Sequence, residues 1–308
     1  MKILRSIADL KSIPGPVVLV AGTFDGLHLG HHALIHAAMD KAERIVGTPV
    51  VMTFDRHPAS VTRPALAPRL LTSNKTKLAL LERMGVPVVL LLEFNPLLAS
   101  VSAEEFIRGF PASLHEICVG SQWSFGHRGA GNVTLLKQLG DDLGFAVTSI
   151  APVEVEGKPI SSTRIRTAIA NGNFAEASAC LGRCFILIGE VVRGAGIGAT
   201  IGFPTANIES AGMQLPPDGV YAVRVHRDKM ILNGVANIGL RPTLDSLAPY
   251  RTVEVHLFDF SELLTGQELA IEFIEYLRGE EKFPNLAALT AQIAKDCERA
   301  RSVLIPKN

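Results

Sequence analysis

The chain has 308 residues, of which 47% are hydrophobic and 19% charged, so we expect ample burial, no extensive disorder and two domains. Its formal net charge is zero, which argues against the strong basic surface of a nucleic-acid-binding or anionic-membrane-binding protein but allows a small local phosphate site. The four cysteines, of which only Cys180 and Cys184 lie close together, indicate free thiols in a reducing compartment rather than a zinc site.

Apolar runs alternate with helical stretches over the first half of the chain. No long apolar stretch follows Lys2 and Arg5, so we expect no leader peptide. The continuous apolar runs, which favour strands buried on both faces, are 17–21, 50–54, 86–92, 116–120 and 146–150. The run 86–92 is too short to span a bilayer. The helical stretches are 31–46, with Leu34, Ile35, Ala38 and Ala42 on one side, 74–84 and 103–110. This alternation predicts an α/β, Rossmann-like domain: a parallel sheet with helices on both faces.

The second half has a different pattern. Two short helices are predicted at 163–170 and 174–181, and short β runs follow at 185–192, 220–226, 230–238, 252–258 and 269–276. These runs predict a small antiparallel β-barrel. A closing amphipathic helix is predicted at 285–304, with Leu286, Leu289, Ile293 and Cys297 on one face. We place the domain boundary near Arg183, which gives domains 1–183 and 184–308.

A glycine-rich loop with two histidines follows the first strand, at residues 22–31. Gly22, Gly26 and Gly30 allow a phosphate to approach the backbone closely, and a helix N-terminus comes next. His28 and His31 bracket Gly30 at the helix start. This arrangement suits an α-phosphate under attack while pyrophosphate leaves. The sequence therefore predicts a nucleotidyl-transfer loop at the carboxyl end of the first strand.

Two simpler interpretations of this loop stay open. His28, His32 and His36 recur at helical spacing and would form a metal group, although no carboxylate or thiol ligand lies nearby. A structural glycine-rich turn with incidental histidines is the other alternative.

Hydroxyl and arginine side chains open the predicted helix that begins near residue 162. Ser162 and Thr163 lie at its N-terminus, and Arg164 and Arg166 lie in its first turn. Hydroxyls, free amides and guanidinium groups form phosphate clamps, although Ser or Thr before a helix is also the ordinary N-cap. Together with the histidine loop, this segment predicts a clamp for the β- and γ-phosphates.

A second glycine-dense segment, residues 193–198, lies between predicted strands. It lacks the Gly-Lys-Ser/Thr ending of a P-loop, which excludes a Walker-type site there. Thr205 and Asn207 follow, and their neutral oxygens suit a Mg²⁺ ion held partly by ATP phosphates. The alternative is an ordinary proline-containing turn.

Glu254 lies in the middle of a predicted strand. The alternation over 252–257 places it with His256 on one face and the apolar side chains on the other. A carboxylate in the middle of a strand either faces water or takes part in a functional site. If it faces a cleft, it can accept the proton of a hydroxyl that attacks the γ-phosphate.

These motifs, in this order, resemble those of the bacterial bifunctional riboflavin kinase/FMN adenylyltransferases, also called FAD synthetases. The resemblance covers nearly the whole chain. The segments that carry it are 22–31, 161–166, 202–207, 219–223, 234–239 with 241–243, and 253–257.

The resemblance implies a nucleotidyltransferase domain followed by a riboflavin kinase barrel, and two ATP-dependent reactions. The C-terminal domain would phosphorylate riboflavin to FMN, and the N-terminal domain would join AMP to FMN, giving FAD and pyrophosphate. It implies Mg²⁺ as cofactor, ATP as co-substrate, and riboflavin, FMN and FAD as substrates and products. With the composition, it predicts a cytoplasmic enzyme with no nucleic-acid or membrane partner.

The resemblance also implies residue roles by position. The residues with implied catalytic roles are His28, His31, Arg166 and Glu254. Those with implied nucleotide-binding roles are Gly22, Phe24, Asp25, Gly26, Gly30, Ser162, Thr163, Gly194, Gly198 and Thr205. Those with implied flavin-binding roles are Trp123, Phe125, Asn237 and Arg241. Those implied to hold the metal are Thr205 and Asn207.

Two places depart from the family pattern. Gln122 stands where an acidic residue or Asn is usual, and Trp123 where Phe is usual, although the indole can still stack on a flavin or adenine ring. In the family, the kinase loop usually has Arg or Lys near Ala199. Here it keeps only Arg193, which predicts weaker ATP binding.

Three alternatives to a bifunctional enzyme stay open: a monofunctional member with one silenced site, a non-catalytic flavin-binding protein, and another His-x-Gly-His adenylyltransferase, such as one for pantetheine phosphate. The last would leave the second half unexplained.

Overall fold

The computed structural model of the chain describes residues 1–194, 196–227, 229–241 and 250–305. The chain divides into a first unit, Met1–Ser162 with Cys180–Gly182, and a second unit, Thr163–Ala179 with Arg183–Asn308. Residues 163–179 group with the second unit, where the Phe174 ring stacks on that of Phe273 at 5.8 Å between centroids. A functional boundary near Arg183 stays a prediction.

The first unit is built on a six-stranded parallel sheet of order β1-β4-β3-β2-β5-β6. The strands are β1 (Lys2–Leu4), β2 (Val17–Ala21), β3 (Thr48–Phe54), β4 (Val88–Leu92), β5 (Leu114–Gly120) and β6 (Ala146–Ile150). The helices are α1 (Leu29–Arg44), α2 (Ala59–Thr62), α3 (Asn74–Arg83), α4 (Pro96–Ser100), α5 (Ala103–Arg108) and α6 (Val133–Leu143). Short 3₁₀ turns lie at Ile7–Ser12, Pro64–Leu66 and His127–Gly129, and a ribbon of β7 (Glu154–Val155) and β8 (Lys158–Pro159) follows β6.

Helices cover both faces of this sheet, as predicted. In β2, Val17, Leu19 and Ala21 pack in the core that contains side chains of α5 and α6. Val18 and Val20 pack in the opposite core, which contains α1 and α3. A strand that is buried on both faces is apolar throughout, which explains the continuous run.

The predicted elements of the first unit are confirmed with small shifts of their ends. Helix α1 begins two residues earlier than predicted, and its buried side chains are Leu34, Ile35, Ala38 and Ala42. Strand β1 was missed, because its three residues are too few for a periodic pattern.

The second unit contains most of α7 (Ser162–Ala170) and of α8 (Phe174–Leu181), from which Ser162, Cys180 and Leu181 group with the first unit. It also contains a closed barrel of order β10-β13-β12-β11-β14-β9. Its strands are antiparallel: β9 (Ile186–Val192), β10 (Ala206–Ile208), β11 (Gly219–Arg227), β12 (Met230–Arg241), β13 (Tyr250–Leu257) and β14 (Glu268–Arg278). The remaining helices are α9 (Ile197–Thr200) and α10 (Leu286–Leu304). The barrel prediction is confirmed, with β10 as a strand that the sequence had suggested to be a turn.

Helix α10 covers part of the outer face of the barrel. Val220 and Ala222 of β11 pack in one cluster with Cys297 and Ala300 of the helix. Leu286 was predicted on the apolar face of this helix together with Leu289, Ile293 and Cys297. It is 56% exposed, so the prediction that this face is packed over its whole length is wrong. Burial is confined to the second half of the helix, so its first turn extends beyond the packed surface.

A buried ion pair fixes α10 to the barrel. Arg278, at the end of β14, donates from Nε and Nη2 to the Asp296 carboxylate at 2.8–3.1 Å. We expect Asp296→Ala to lower the unfolding free energy of the second unit by up to about 3–5 kcal/mol, because the largely buried guanidinium would lose its counter-charge. The three tyrosines all belong to the second unit and the single tryptophan to the first. Tyrosine fluorescence during denaturant unfolding therefore measures the effect.

The exposed pair between Asp259 and Arg301 provides the matched control. Its side chains are 78% and 49% exposed, so we expect Asp259→Asn to leave the tyrosine transition almost unchanged. Asparagine suits the positive φ of 54° at this position. An equal shift in both variants, or a shift of the tryptophan transition alone, would contradict the role given to Asp296.

Candidate functional site

The first candidate site lies where the order of the parallel sheet reverses, between β2 and β5. The chain passes from β2 to β3 on one side and later returns to β5 on the other. Crevices at the carboxyl ends of such strands are the usual ligand sites of open α/β sheets. Here the crevice is a cleft of about 1100 Å³ lined by residues of both strand ends, including Gly22 and Gly120.

The loop after β2 has a constrained backbone. Phe24 and Leu27 have positive φ angles of 51° and 40°, and both side chains are fully buried. The Asp25 carboxylate is buried and accepts hydrogen bonds from the backbone N–H groups of Leu71 and Thr72 at 2.9 and 3.0 Å. These contacts hold the loop in a conformation that costs free energy, as is common at ligand sites.

The two histidines meet at the start of α1. His28 is the N-cap, and its Nδ1 accepts a hydrogen bond from the His31 backbone N–H at 3.3 Å. Their rings stack at 3.6 Å between centroids. The Nδ1 atom of His31 is buried without a hydrogen-bond partner, which is costly unless a ligand supplies one. Burial, with smaller contributions from His28, His32 and Lys77, lowers the pKa of His31 well below its usual value, so this ring is neutral at pH 7.

Close packing around the rings explains two of the glycines. A Cβ at Gly22 would lie 3.0 Å from the Phe24 ring, and the edge of that ring meets His31. A Cβ at Gly30 would lie 3.2 Å from the His28 ring. Gly26 has a φ of 87°, which favours glycine. These glycines therefore keep the histidine rings in place.

The predicted clamp residues fall on both sides of the unit boundary. The Ser162 hydroxyl donates to the Asp25 carbonyl at 2.9 Å, so it lies against the histidine loop. Thr163 and Arg166 belong to the second unit by their contacts. Arg164 pairs with Glu176 at 2.8 Å within that unit.

Aromatic side chains line the cleft beyond β5. The rings of Trp123 and Phe125 stack at 4.5 Å, nearly parallel, and Phe125 reaches into the core. Gln122 also lines the cleft, and its side chain is exposed. The sequence did not indicate Phe54 and Phe94, which meet edge to face at 5.1 Å on the cleft wall.

The second candidate site is a row of polar side chains on the outer face of the barrel. Asn207 on β10 and Asn237 on β12 are both register partners of Glu254 on β13. Val253 and Val255, on either side of Glu254, are buried, which confirms the predicted alternation. The structure thus brings together three residues that lie far apart in the sequence.

The glycine-dense segment packs on this row. A Cβ at Gly194 would overlap the Asn207 amide nitrogen, and one at Gly198 would lie 3.3 Å from the Thr205 hydroxyl. That hydroxyl donates to the Glu254 carboxylate at 3.4 Å. The predicted Arg241 ends β12, but its side chain and residues 242 and 243 lie outside the described part of the chain.

Within the described ranges, no cluster of three or more His, Cys, Asp or Glu side chains is placed to hold a metal ion. This removes the interpretation of His28, His32 and His36 as a metal group. The oxygens of Thr205, Asn207 and Glu254 remain as hard donors of the kind that Mg²⁺ takes.

The two candidate sites, a histidine loop at a helix start in the first unit and a polar row with a carboxylate in the second, are of the kind expected in a nucleotide-dependent transferase. A family model described as FAD synthetase matches residues 10–164, and one described as riboflavin kinase matches residues 181–304. The chain belongs to the bifunctional riboflavin kinase/FMN adenylyltransferase family. It is an enzyme of FAD biosynthesis that phosphorylates riboflavin to FMN and joins AMP from ATP to FMN.

Relatives match over nearly the full length. The bifunctional riboflavin kinase/FMN adenylyltransferase of Haemophilus influenzae is 35% identical over 98% of this chain and 99% of its own. That of Escherichia coli K12 is 37% identical over 98% and 97%. A crystal structure described as a macrolide-efflux protein from Streptococcus pneumoniae is 32% identical, with a TM-score of 0.79 over 97% of this chain and 98% of that one.

The helices that the structure describes include none with the length and apolar character needed to cross a membrane.

Proposed function

We propose that the cleft of the first unit carries FMN adenylylation and that the polar row of the second unit carries riboflavin phosphorylation. The observation that carries the first assignment is the Nδ1 atom of His31, which is buried without a hydrogen-bond partner near the start of α1, in a residue that lines the cleft. We also propose a functional boundary near Arg183, which the span of the two family models supports.

In the proposed adenylyl transfer, the chain supplies positioned donors and little covalent chemistry. His28 and His31 stabilise the α-phosphate as an FMN phosphate oxygen attacks it, and the amides at the start of α1 add partial positive charge. Ser162, whose hydroxyl contacts the loop, holds the departing pyrophosphate, and the phosphate-binding roles of Thr163 and Arg166 stay predictions from the sequence. The loop residues proposed to bind ATP are Gly22, Phe24, Asp25, Gly26 and Gly30. Trp123 offers a ring face to the flavin, and Phe125, buried in the core, supports the indole from its other face.

In the proposed kinase reaction, Glu254 accepts the proton of the ribityl 5′-hydroxyl as its oxygen attacks the γ-phosphate. Asn237 and Arg241 orient the flavin, and the backbone at Gly194 and Gly198 approaches the ATP phosphates. We propose that Thr205 and Asn207 hold Mg²⁺, because a hydroxyl and an amide oxygen beside a carboxylate form a hard donor set. When bound, the ion neutralises charge on the phosphates.

We propose a cytoplasmic setting, with riboflavin, FMN and ATP as small-molecule partners and no nucleic-acid or membrane partner. The four cysteines are free thiols, which fits a reducing compartment.

Chromatography that resolves riboflavin, FMN and FAD tests whether the chain carries out the two proposed reactions in sequence. With riboflavin, ATP and Mg²⁺, we expect FMN to rise first and FAD to follow. With FMN supplied instead, we expect FAD without riboflavin. Excess chelator should stop FMN formation. FAD formation without an FMN stage, or FMN formation unaffected by chelator, would contradict the proposal.

A further inference from the structure

Lys77 is a buried cation directly beneath the histidine loop. It lies on α3 with its side chain 6% exposed. Its Nζ donates to the Phe54 carbonyl at 2.8 Å, to the Thr53 hydroxyl at 3.2 Å and to the Thr23 carbonyl at 3.4 Å. All three acceptors are neutral oxygens, so hydrogen bonding is satisfied while the positive charge is not matched by a contacting carboxylate. A buried charge in this state is costly unless something else compensates it.

The contacts of Lys77 join three elements at the edge of the cleft. Thr23 belongs to the loop after β2 and lines the cleft, and Thr53 and Phe54 end β3. The Thr53 hydroxyl also donates to the Thr23 carbonyl at 3.0 Å. The ammonium therefore fixes the first residues of the loop, and because Lys77 and Thr53 are both buried, solvent screens its charge little.

We infer that Lys77 is a positioning residue for the ATP phosphates: it holds the loop through Thr23 and gives the adenylylation site a fixed positive charge. This inference rests on the proposed assignment of that reaction to the cleft of the first unit. A polyanion bound there would add to the attraction that Asp25 and Asp55 exert on the ammonium, so binding and the protonated amine favour each other.

The charge of Lys77 should depend on pH within the range where enzymes are assayed. Burial lowers the pKa of Lys77 to about 8, against the opposing attraction of Asp25 and Asp55. The pKa of His31 is shifted further into the acid range, and that of Asp55 is also lowered. Above about pH 8 the amine loses its proton and with it the attraction for phosphate. The KM for ATP in FAD formation should therefore rise there, with kcat little changed. The ATP phosphates complete their own titration at lower pH.

The test measures FAD formation from FMN by the full chain at varied ATP, from about pH 6.5 to about pH 9.5. In the wild type we expect the KM for ATP to rise about tenfold across the upper range, equivalent to about 1.4 kcal/mol. Lys77→Met should show the raised KM already at neutral pH and no further pH dependence. Lys77→Arg, which keeps its charge, should keep the low KM throughout. Lys75→Met, on the exposed side of the same helix, should behave as the wild type.

The outcomes separate the inference from the proposed function. A wild-type KM that is flat through about pH 9.5, or a Lys77→Met variant that loses kcat with an unchanged KM, would overturn the inference. If neither Lys77 variant folds, as judged by Trp123 fluorescence, the wild-type profile still decides. FMN formation in the same samples reports the state of the second unit. If a His28→Asn variant retains full FAD formation, the proposed site fails. If His28→Asn loses FAD formation while the Lys77 variants behave as the wild type, the proposed site is supported and only the inference about Lys77 is overturned.

Discussion

Glu254→Gln is expected to lower FMN formation by about 10²–10⁴-fold, the range for loss of a general base. The carboxylate stands in the middle of β13, between the register partners Asn207 and Asn237. Neither neighbouring amide can take a proton from an attacking hydroxyl, so the row contains one base. Glutamine has nearly the same shape and can still accept the Thr205 hydrogen bond, so the barrel should fold normally. The measurement is the initial rate of riboflavin phosphorylation.

Two comparisons sharpen this test. FAD formation from supplied FMN should be unchanged in Glu254→Gln, because the proposed adenylylation site belongs to the first unit. Glu272→Gln provides a matched control, since Glu272 also lies within a barrel strand but pairs with His226 at 2.9 Å, outside the row. It should retain FMN formation. Equal losses in the two glutamine variants would mean that Glu254 acts through the stability of the barrel.

The polar row of the barrel illustrates what sequence could and could not provide. The alternation around Glu254 correctly predicted which side chains of β13 are buried. It could not show that Asn237 would lie beside Glu254, because register across strands depends on turn geometry and on burial of the whole sheet. Strand β10 was hidden for a related reason: its three residues follow a proline and are too few for an alternating pattern.

The first unit shows the same limit at its loop. Spacing alone indicated that His28 and His31 meet at a helix start. The hydrogen bonds from the Leu71 and Thr72 N–H groups to the Asp25 carboxylate join positions 46 and 47 residues apart, and a local sequence pattern cannot predict contacts at that separation. The burial of Lys77, by contrast, is indicated by its position in the sequence. The residue occupies the same helix face as Leu81, four residues later, where an apolar residue would be expected. A charged residue at such a position is a sign of a buried polar contact.

His28→Asn is expected to lower FAD formation by about 10²–10³-fold, the range for removal of one positioned donor from a transition state. Asparagine is chosen because His28 has two roles. Its Nδ1 caps α1, and alanine would remove this cap at a cost of about 0.5–2 kcal/mol. Asparagine is among the preferred N-cap residues, so the helix should keep its start while the imidazole that stacks on His31 is lost. The rate of FAD formation from FMN and ATP measures the effect.

The remaining activities of the same chain decide how that loss is interpreted. FMN formation should stay at the wild-type rate, and the tryptophan unfolding transition should not move, since Trp123 reports on the first unit. His36→Asn, on an exposed position of the same helix, should leave both reactions intact. A His28→Asn variant with a shifted tryptophan transition and a proportionate fall in activity would assign His28 to the stability of α1 alone. Loss of FAD formation at unchanged stability would instead require the imidazole for the transfer itself, because the capped helix and its amides would still be present.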